Sequence, residues 1–177
     1  FAFEEVFYIQ AGKAVERARI QNATSYQFKT ESSHIKAFTE RFPFALTGSQ
    51  SKALTEIFTD FRKEYPMSRL LEGDVGSGKT AVAATAAYAA VTSRPPEGVG
   101  KAIEFGNLQV AYMAPTEILA KQHFESFMEY FQHLPIQIGL VTGSGCMKFP
   151  SKTNPNKATP ISKAQLLKWV QNGEIPI

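Results

Sequence analysis

Cysteine occurs once, at Cys146, so no disulfide can close within the chain and the composition suits a reducing compartment such as the cytoplasm. Long apolar runs are missing too. The longest, residues 81–91, is too short to cross a bilayer and carries Thr85 and Tyr88. No basic segment followed by an apolar one stands at the start, so no secretory signal is legible. Neither sign of charge dominates: 19 Lys and Arg face 16 Asp and Glu, giving a net charge of +3 with no dense basic cluster. That balance permits a nucleic-acid partner without arguing for one. No internal repeat is evident. The first residue is Phe, not Met, and the chain stops directly after Gly173-Glu174-Ile175-Pro176, so the expectation is a piece of a longer protein. Aromatic and apolar residues are plentiful, with 14 Phe and 44% hydrophobic residues in 177, enough for one sizeable core plus an appendage.

Gly73-Asp74-Val75-Gly76-Ser77-Gly78-Lys79-Thr80 matches G-x-x-x-x-G-K-[ST], the phosphate-binding loop pattern. Such a loop wraps main-chain amides around a polyphosphate, so it needs residues that tolerate unusual torsions and put no side chain between backbone and ligand. Arg69-Leu70-Leu71-Glu72 before it suits a strand, and residues 79–92 form an alanine-rich helix with almost no polar face. In that order the helix start aims free N–H groups and its positive dipole end at the phosphates. Lys79 then reaches the β and γ oxygens and Thr80 offers its hydroxyl to Mg²⁺.

Residues 3–20 place Phe3, Phe7, Ala11, Ala14 and Ala18 at helical spacing, which predicts an amphipathic helix leading into the core. Residues 21–33 are polar and read as a linker, and residues 34–41 as a short helix carrying Ile35 and Phe38. The next helix opens at Thr47-Gly48-Ser49-Gln50, whose form is that of a capping box, and Glu64-Tyr65-Pro66 ends it. Residues 93–107, rich in Pro and Gly, read as a long surface connection. A second strand over 108–114 leads through Pro115-Thr116 into a helix to about residue 132. A third strand covers 136–141, with a turn at Thr142-Gly143. Residues 144–160, rich in Ser, Lys, Asn and Pro, read as a mobile loop, residues 161–172 as a helix, and 175–177 as the start of a fourth strand. The alternation predicts an α/β fold with a parallel sheet flanked by helices.

Three collinear blocks carry a resemblance. Pro43 through Gln50 (PFALTGSQ), Pro66 through Thr80 (PMSRLLEGDVGSGKT) and Met113 through His123 (MAPTEILAKQH) closely resemble the RecG family, bacterial ATP-dependent DNA helicases of superfamily two that remodel stalled forks and Holliday junctions. The similarity covers most of the chain. It implies that residues 34–177 are the first RecA-like domain, incomplete at its C-terminus, and that 1–33 are the helix and linker leading from an OB-type wedge. It implies ATP and Mg²⁺ as cofactors and Lys79 and Thr80 as catalytic residues, Thr80 also touching the metal, with Gln50, Gly73, Asp74, Val75, Gly76, Ser77 and Gly78 completing the ATP site. Branched DNA is the implied partner, gripped through Pro115, Thr116, Glu117, Thr142 and Gly143. A second RecA-like domain and the wedge of the same full-length chain are implied as well, and no membrane.

Several residues keep two roles at this stage. Gln50 can read adenine, since its amide offers a donor and an acceptor, or serve only as a cap. Phe42 or Phe44 can stack on a base or lie in the core. Thr116 can contact a phosphate or cap its helix, and Thr142-Gly143 can be a contact or a plain turn. The family's acidic D-E-x-H box is not in this sequence, nor is an arginine finger, so the chain alone is expected to be inactive. A nucleotide- or DNA-binding module without catalysis, or a related translocase such as a transcription-repair coupling factor, is the alternative.

Overall fold

The computed structural model describes residues 2–27, 31–93 and 108–177. Most of the surface connection expected at 93–107, and part of the linker expected at 21–33, lie outside the described residues. Among the described residues, six helices and three strands follow in the order α1 (Ala2–Gln21), α2 (Ser32–Thr39), α3 (Gly48–Asp60), α4 (Lys79–Val91), α5 (Glu117–Phe131), β1 (Ile138–Thr142), β2 (Gly145–Phe149), β3 (Thr159–Ile161) and α6 (Lys163–Gln171). The fold is α/β, with α4 at its centre.

Helix α4 has no polar face because it needs none. Ala81, Val82, Ala84, Ala87, Ala89 and Val91 are all buried, and small side chains let α2, α3 and α5 approach it closely. One cluster joins Ala81, Ala84 and Ala87 to Phe38 and Phe42, to Phe124, Phe127 and Phe131 of α5, and to Ile138, Leu140 and Phe149 of the sheet. A second places Leu54 and Ile57 of α3 on Val82. The Phe38 ring stacks on Tyr88, centroids 4.2 Å apart. Burying such side chains contributes roughly 1.5–3 kcal/mol each, which is what fixes α4 and the loop before it.

The sheet departs from expectation in an instructive way. Among the described residues the hydrogen-bonded sheet is antiparallel, in the order β1-β2-β3. The expected strands at 69–72 and 108–114 form no ladder among the described residues. Val110 donates its N–H to Pro176 O at 2.8 Å, and Gly139 donates its N–H to Ile177 O at 2.8 Å. Residues 175–177 therefore lie between the 108–114 segment and β1, where a fourth strand would begin.

Residues 144–160 are not a mobile loop. Gly145–Phe149 pairs with β1 in the register Ile138↔Phe149 through Thr142↔Gly145, and Cys146 and Phe149 are buried. The Ser-, Asn- and Pro-rich composition belongs to residues 150–158, and even there Ser151 N–H reaches Lys157 O at 2.7 Å. Helix α1 forms as predicted, but its apolar stripe does not meet the core: Phe3 is 80% and Phe7 57% exposed, and the two rings stack on each other instead. Helix α3 ends at Asp60, earlier than the proline would require. There Asp60 is held by Lys63 at 2.7 Å and Arg69 at 2.7 Å, with Arg69 also reaching Glu56 at 2.6 Å. These ion pairs tie the extended approach to the glycine-rich loop onto α3.

Candidate nucleotide and nucleic-acid site

The loop over residues 73–78 is exposed along almost its whole length, and two glycines give it its shape. Gly76 and Gly78 have φ of 80° and 77°, in the left-handed region. At Gly78, which directly precedes α4, a side chain would meet a strained torsion and would also displace the Gln50 amide nitrogen. Lys79 turns back over the loop and donates from Nζ to the carbonyls of Gly73 and Asp74, at 2.6 and 2.7 Å. The cation thus organises two carbonyls of the segment through which an anion would be held. Beyond it, the first amides of α4 and the positive end of its dipole face the loop.

Gln50 links this loop to α3. The capping box is complete: Thr47 Oγ1 accepts the Gln50 N–H at 3.2 Å and Gln50 Oε1 accepts the Thr47 N–H at 2.8 Å. Gln50 Nε2 additionally donates to Ser77 O at 2.8 Å. Each bond uses one of two capacities, so one donor proton and one acceptor lone pair of the amide remain. Between the two aromatics the structure distinguishes clearly. Phe42 is buried, packed on Phe38 and Tyr130. Phe44 is 40% exposed and lines a pocket of about 540 Å³ with Glu40, Leu46 and Ser51.

Thr80, in the first turn of α4, has its hydroxyl 3.4 Å from His123 Nδ1. His123, on the second turn of α5, was not singled out from the sequence as a site residue. No spacing rule connects positions 43 apart, so only the packing of α4 on α5 reveals it. Tyr112 meets the same imidazole edge-on at 5.3 Å.

The residues expected to meet nucleic acid converge at the head of α5. Thr116 is its N-cap, the hydroxyl accepting the Leu119 N–H at 3.3 Å, so the capping role is realised. Thr142 and Gly143 lie alongside in the β1–β2 turn. Glu117 joins the two elements, its Oε2 accepting the Ser144 N–H at 3.2 Å and its Oε1 accepting Lys121 Nζ at 2.7 Å and the Ser144 hydroxyl. Hydrogen bonds from Lys121 and Ser144 hold the Glu117 carboxyl below the ordinary carboxylate range. Sequence reasoning missed Ser144 altogether. Lys121 was legible as the i,i+4 partner of Glu117.

Among the described residues no group of three or more His, Cys, Asp or Glu side chains could hold a metal ion, and no helix is long and apolar enough to cross a membrane.

Comparison with known proteins places the fold in a family. RecG of Aquifex aeolicus is 33% identical over 175 residues, which are 99% of this chain and 19% of that protein. A transcription-repair-coupling factor of Staphylococcus haemolyticus is 42% identical over 120 residues, 68% of this chain and 9% of that protein. A solved structure of RecG bound to a three-way DNA junction superposes with a TM-score of 0.71 at 30% identity, covering 98% of this chain and 20% of that one. The chain therefore spans about a fifth of the length of its RecG relatives, and the fold is that of a RecA-like helicase domain. Residues 47–167, more than half of the chain, match the family described as DEAD/DEAH box helicase, and to that helicase family this chain belongs.

Proposed function

We propose that this chain is the ATP-binding part of an ATP-dependent DNA helicase or translocase that acts on branched DNA, forks and Holliday junctions included. The observation that carries the reading is the loop shaped by Gly76 and Gly78 at the head of α4, with Lys79 over it and Gln50 docked against Ser77. Gly73, Asp74, Val75, Gly76, Ser77 and Gly78 present main-chain amides to the phosphates. Lys79 exchanges its two carbonyls for β and γ oxygens. Gln50 applies its remaining donor and acceptor to the adenine edge, and Phe44 rather than Phe42 is placed to stack on the base. A divalent cation here would bind through phosphate oxygens, water and the Thr80 hydroxyl, a donor set that suits Mg²⁺, and it would supply charge neutralisation on the transferring phosphoryl group.

At the head of α5, the Thr116 hydroxyl, the first amides of the helix and the Thr142-Gly143 turn face one phosphate backbone. The relatives named RecG, one of them solved on a three-way DNA junction, support branched DNA as the substrate. In the full-length protein, closure of a second RecA-like domain over the exposed loop converts hydrolysis into stepping. The 42% identity to a transcription-repair-coupling factor favours a second reading, a related translocase of that kind. An OB-type wedge upstream in the full-length protein, with unwinding of fork substrates, favours the first.

The test is Lys79→Ala in the full-length protein. ATP hydrolysis should fall by at least about a thousandfold, because charge stabilisation at a transferring phosphoryl group contributes on that order, while junction binding persists. Retained turnover overturns the assignment.

A further inference from the structure

We propose that Glu117 is a positioning residue, a latch that ties the β1–β2 turn to the first turn of α5 through Ser144 and so fixes the spacing between the two edges that face nucleic acid. The inference rests on the nucleic-acid reading of that face and adds residues to it.

Glu117 is the first residue of α5, and Ser144 lies 27 positions later in a two-residue turn between five-residue strands. One carboxylate spans the gap with both oxygens engaged. Oε2 takes the Ser144 main-chain N–H at 3.2 Å, and Oε1 takes the Ser144 hydroxyl together with Lys121 Nζ. Lys121 closes the triangle by donating to Ser144 Oγ at 3.2 Å. Thr142 Oγ1 lies 3.2 Å from the same hydroxyl and donates to Gly145 O at 3.0 Å. A Cβ on Gly143 would sit 3.6 Å from Glu117 Oε2, so the turn rides directly over the carboxylate.

An acidic residue in a first helical turn already has a bland use, complementing the dipole. That use requires neither Ser144 nor Lys121. The geometry also assigns separate tasks, because the Ser144 amide is consumed by Glu117 and cannot hold a phosphate. The donors left for one are the Thr116 hydroxyl, the amides of Glu117 and Ile118 ahead of the capped Leu119 N–H, and Gly143.

Electrostatics gives the proposal a sign that a direct contact does not share. A carboxylate facing a polyanion opposes binding, so removing it would tighten the complex and alter its salt dependence. Removing a latch weakens the complex even though one negative charge is lost, and leaves the number of neutralised phosphates nearly unchanged.

Fluorescence anisotropy of a labelled three-way junction, titrated with full-length protein at several salt concentrations, separates these outcomes. Glu117→Ala should weaken binding by about fivefold or more, the scale of one lost hydrogen bond, with the wild-type salt slope. Glu117→Gln keeps a carbonyl oxygen for Ser144 and Lys121 and should recover most of the affinity, while Ser144→Ala should fall between. Equal or tighter binding by Glu117→Ala overturns the latch. If Glu117→Ala proves unfolded by circular dichroism, Glu117→Gln and Ser144→Ala decide, and wild-type affinity in both overturns it. Absence of any salt-dependent binding by the wild type overturns instead the nucleic-acid reading beneath it.

Discussion

At the head of α4 the chain takes its functional shape from main-chain torsions, with φ of 80° and 77° at Gly76 and Gly78 and side chains serving only to steady the loop. At the head of α5 one glycine of the facing hairpin, Gly145, takes a positive φ of 146°, but side chains do most of the shaping, through Thr116, Glu117, Lys121, Thr142 and Ser144. The difference follows from what each end must hold. A compact polyphosphate needs many converging amides, which only a glycine-rich bend provides. An extended backbone needs two edges at a fixed separation, which a cross-element hydrogen-bond network provides. Substitutions should therefore fail differently at the two ends.

The largest effect is expected at Gly78. Gly78→Ala meets both the left-handed torsion and the Gln50 amide, and nucleotide affinity should fall on the order of 100-fold, the scale of a few kcal/mol of backbone strain. Gly76→Ala meets the torsion alone, since nothing lies within 4 Å of its added Cβ, and should lose clearly less. Calorimetric titration of nucleotide checks the pair. Equal losses would show that torsion alone matters and that the Gln50 contact is incidental.

The same contrast explains what the sequence disclosed. The phosphate loop, the capping box at Thr47 and Gln50 and the all-apolar α4 were legible because each is a local pattern with a local cause. The three β segments around residues 138–161 were half legible. Alternation marked β1, but the polar composition of residues 150–158 hid β2, whose Cys146 and Phe149 pack into the interior. The His123–Thr80 and Glu117–Ser144 contacts were invisible, because they depend on which helices pack side by side. Helix α1 misled in the opposite sense: its helical spacing was real, but nothing in periodicity says what a stripe packs against.

A smaller effect is expected where the loop is moored. Burial pushes the Asp60 carboxyl up, but hydrogen bonds from Lys63 and Arg69 outweigh it and leave the group below its ordinary value. The folded form is therefore favoured above the unfolded carboxyl pKa of about 3.9, and that contribution is lost as pH falls through the lower folded value. His133 acts earlier in an acid titration. Its Nε2 is buried without a partner, and burial together with Arg41 lowers its pKa, so stability declines as pH drops below the unfolded imidazole value of about 6.5. Asp60→Asn should remove the step below about pH 4 and cost about 2 kcal/mol at neutral pH, since hydrogen bonds to charged groups contribute on the order of 1.5–3 kcal/mol and solvent around the partners discounts them. Urea midpoints between pH 7 and pH 3 test both steps, and an unchanged acid limb in Asp60→Asn would place the coupling elsewhere.

The smallest effect comes from the cap of α3, which borders the loop through Gln50. Thr47→Ala removes the acceptor for the Gln50 N–H and should cost about 1 kcal/mol of stability, with little change in nucleotide affinity because Gln50 keeps its bond to Ser77. Gln50→Ala removes the second half of the cap and also the bond to Ser77 O, so it should match Thr47→Ala in stability and exceed it in lost nucleotide affinity by several-fold, the worth of about one hydrogen bond. Denaturation and nucleotide titration on the two variants separate the cap from the loop. If both lose affinity alike, the cap itself rather than the Gln50–Ser77 bond carries the order of α3 into the loop, and the side-chain contribution at the nucleotide end is larger than its torsions suggest.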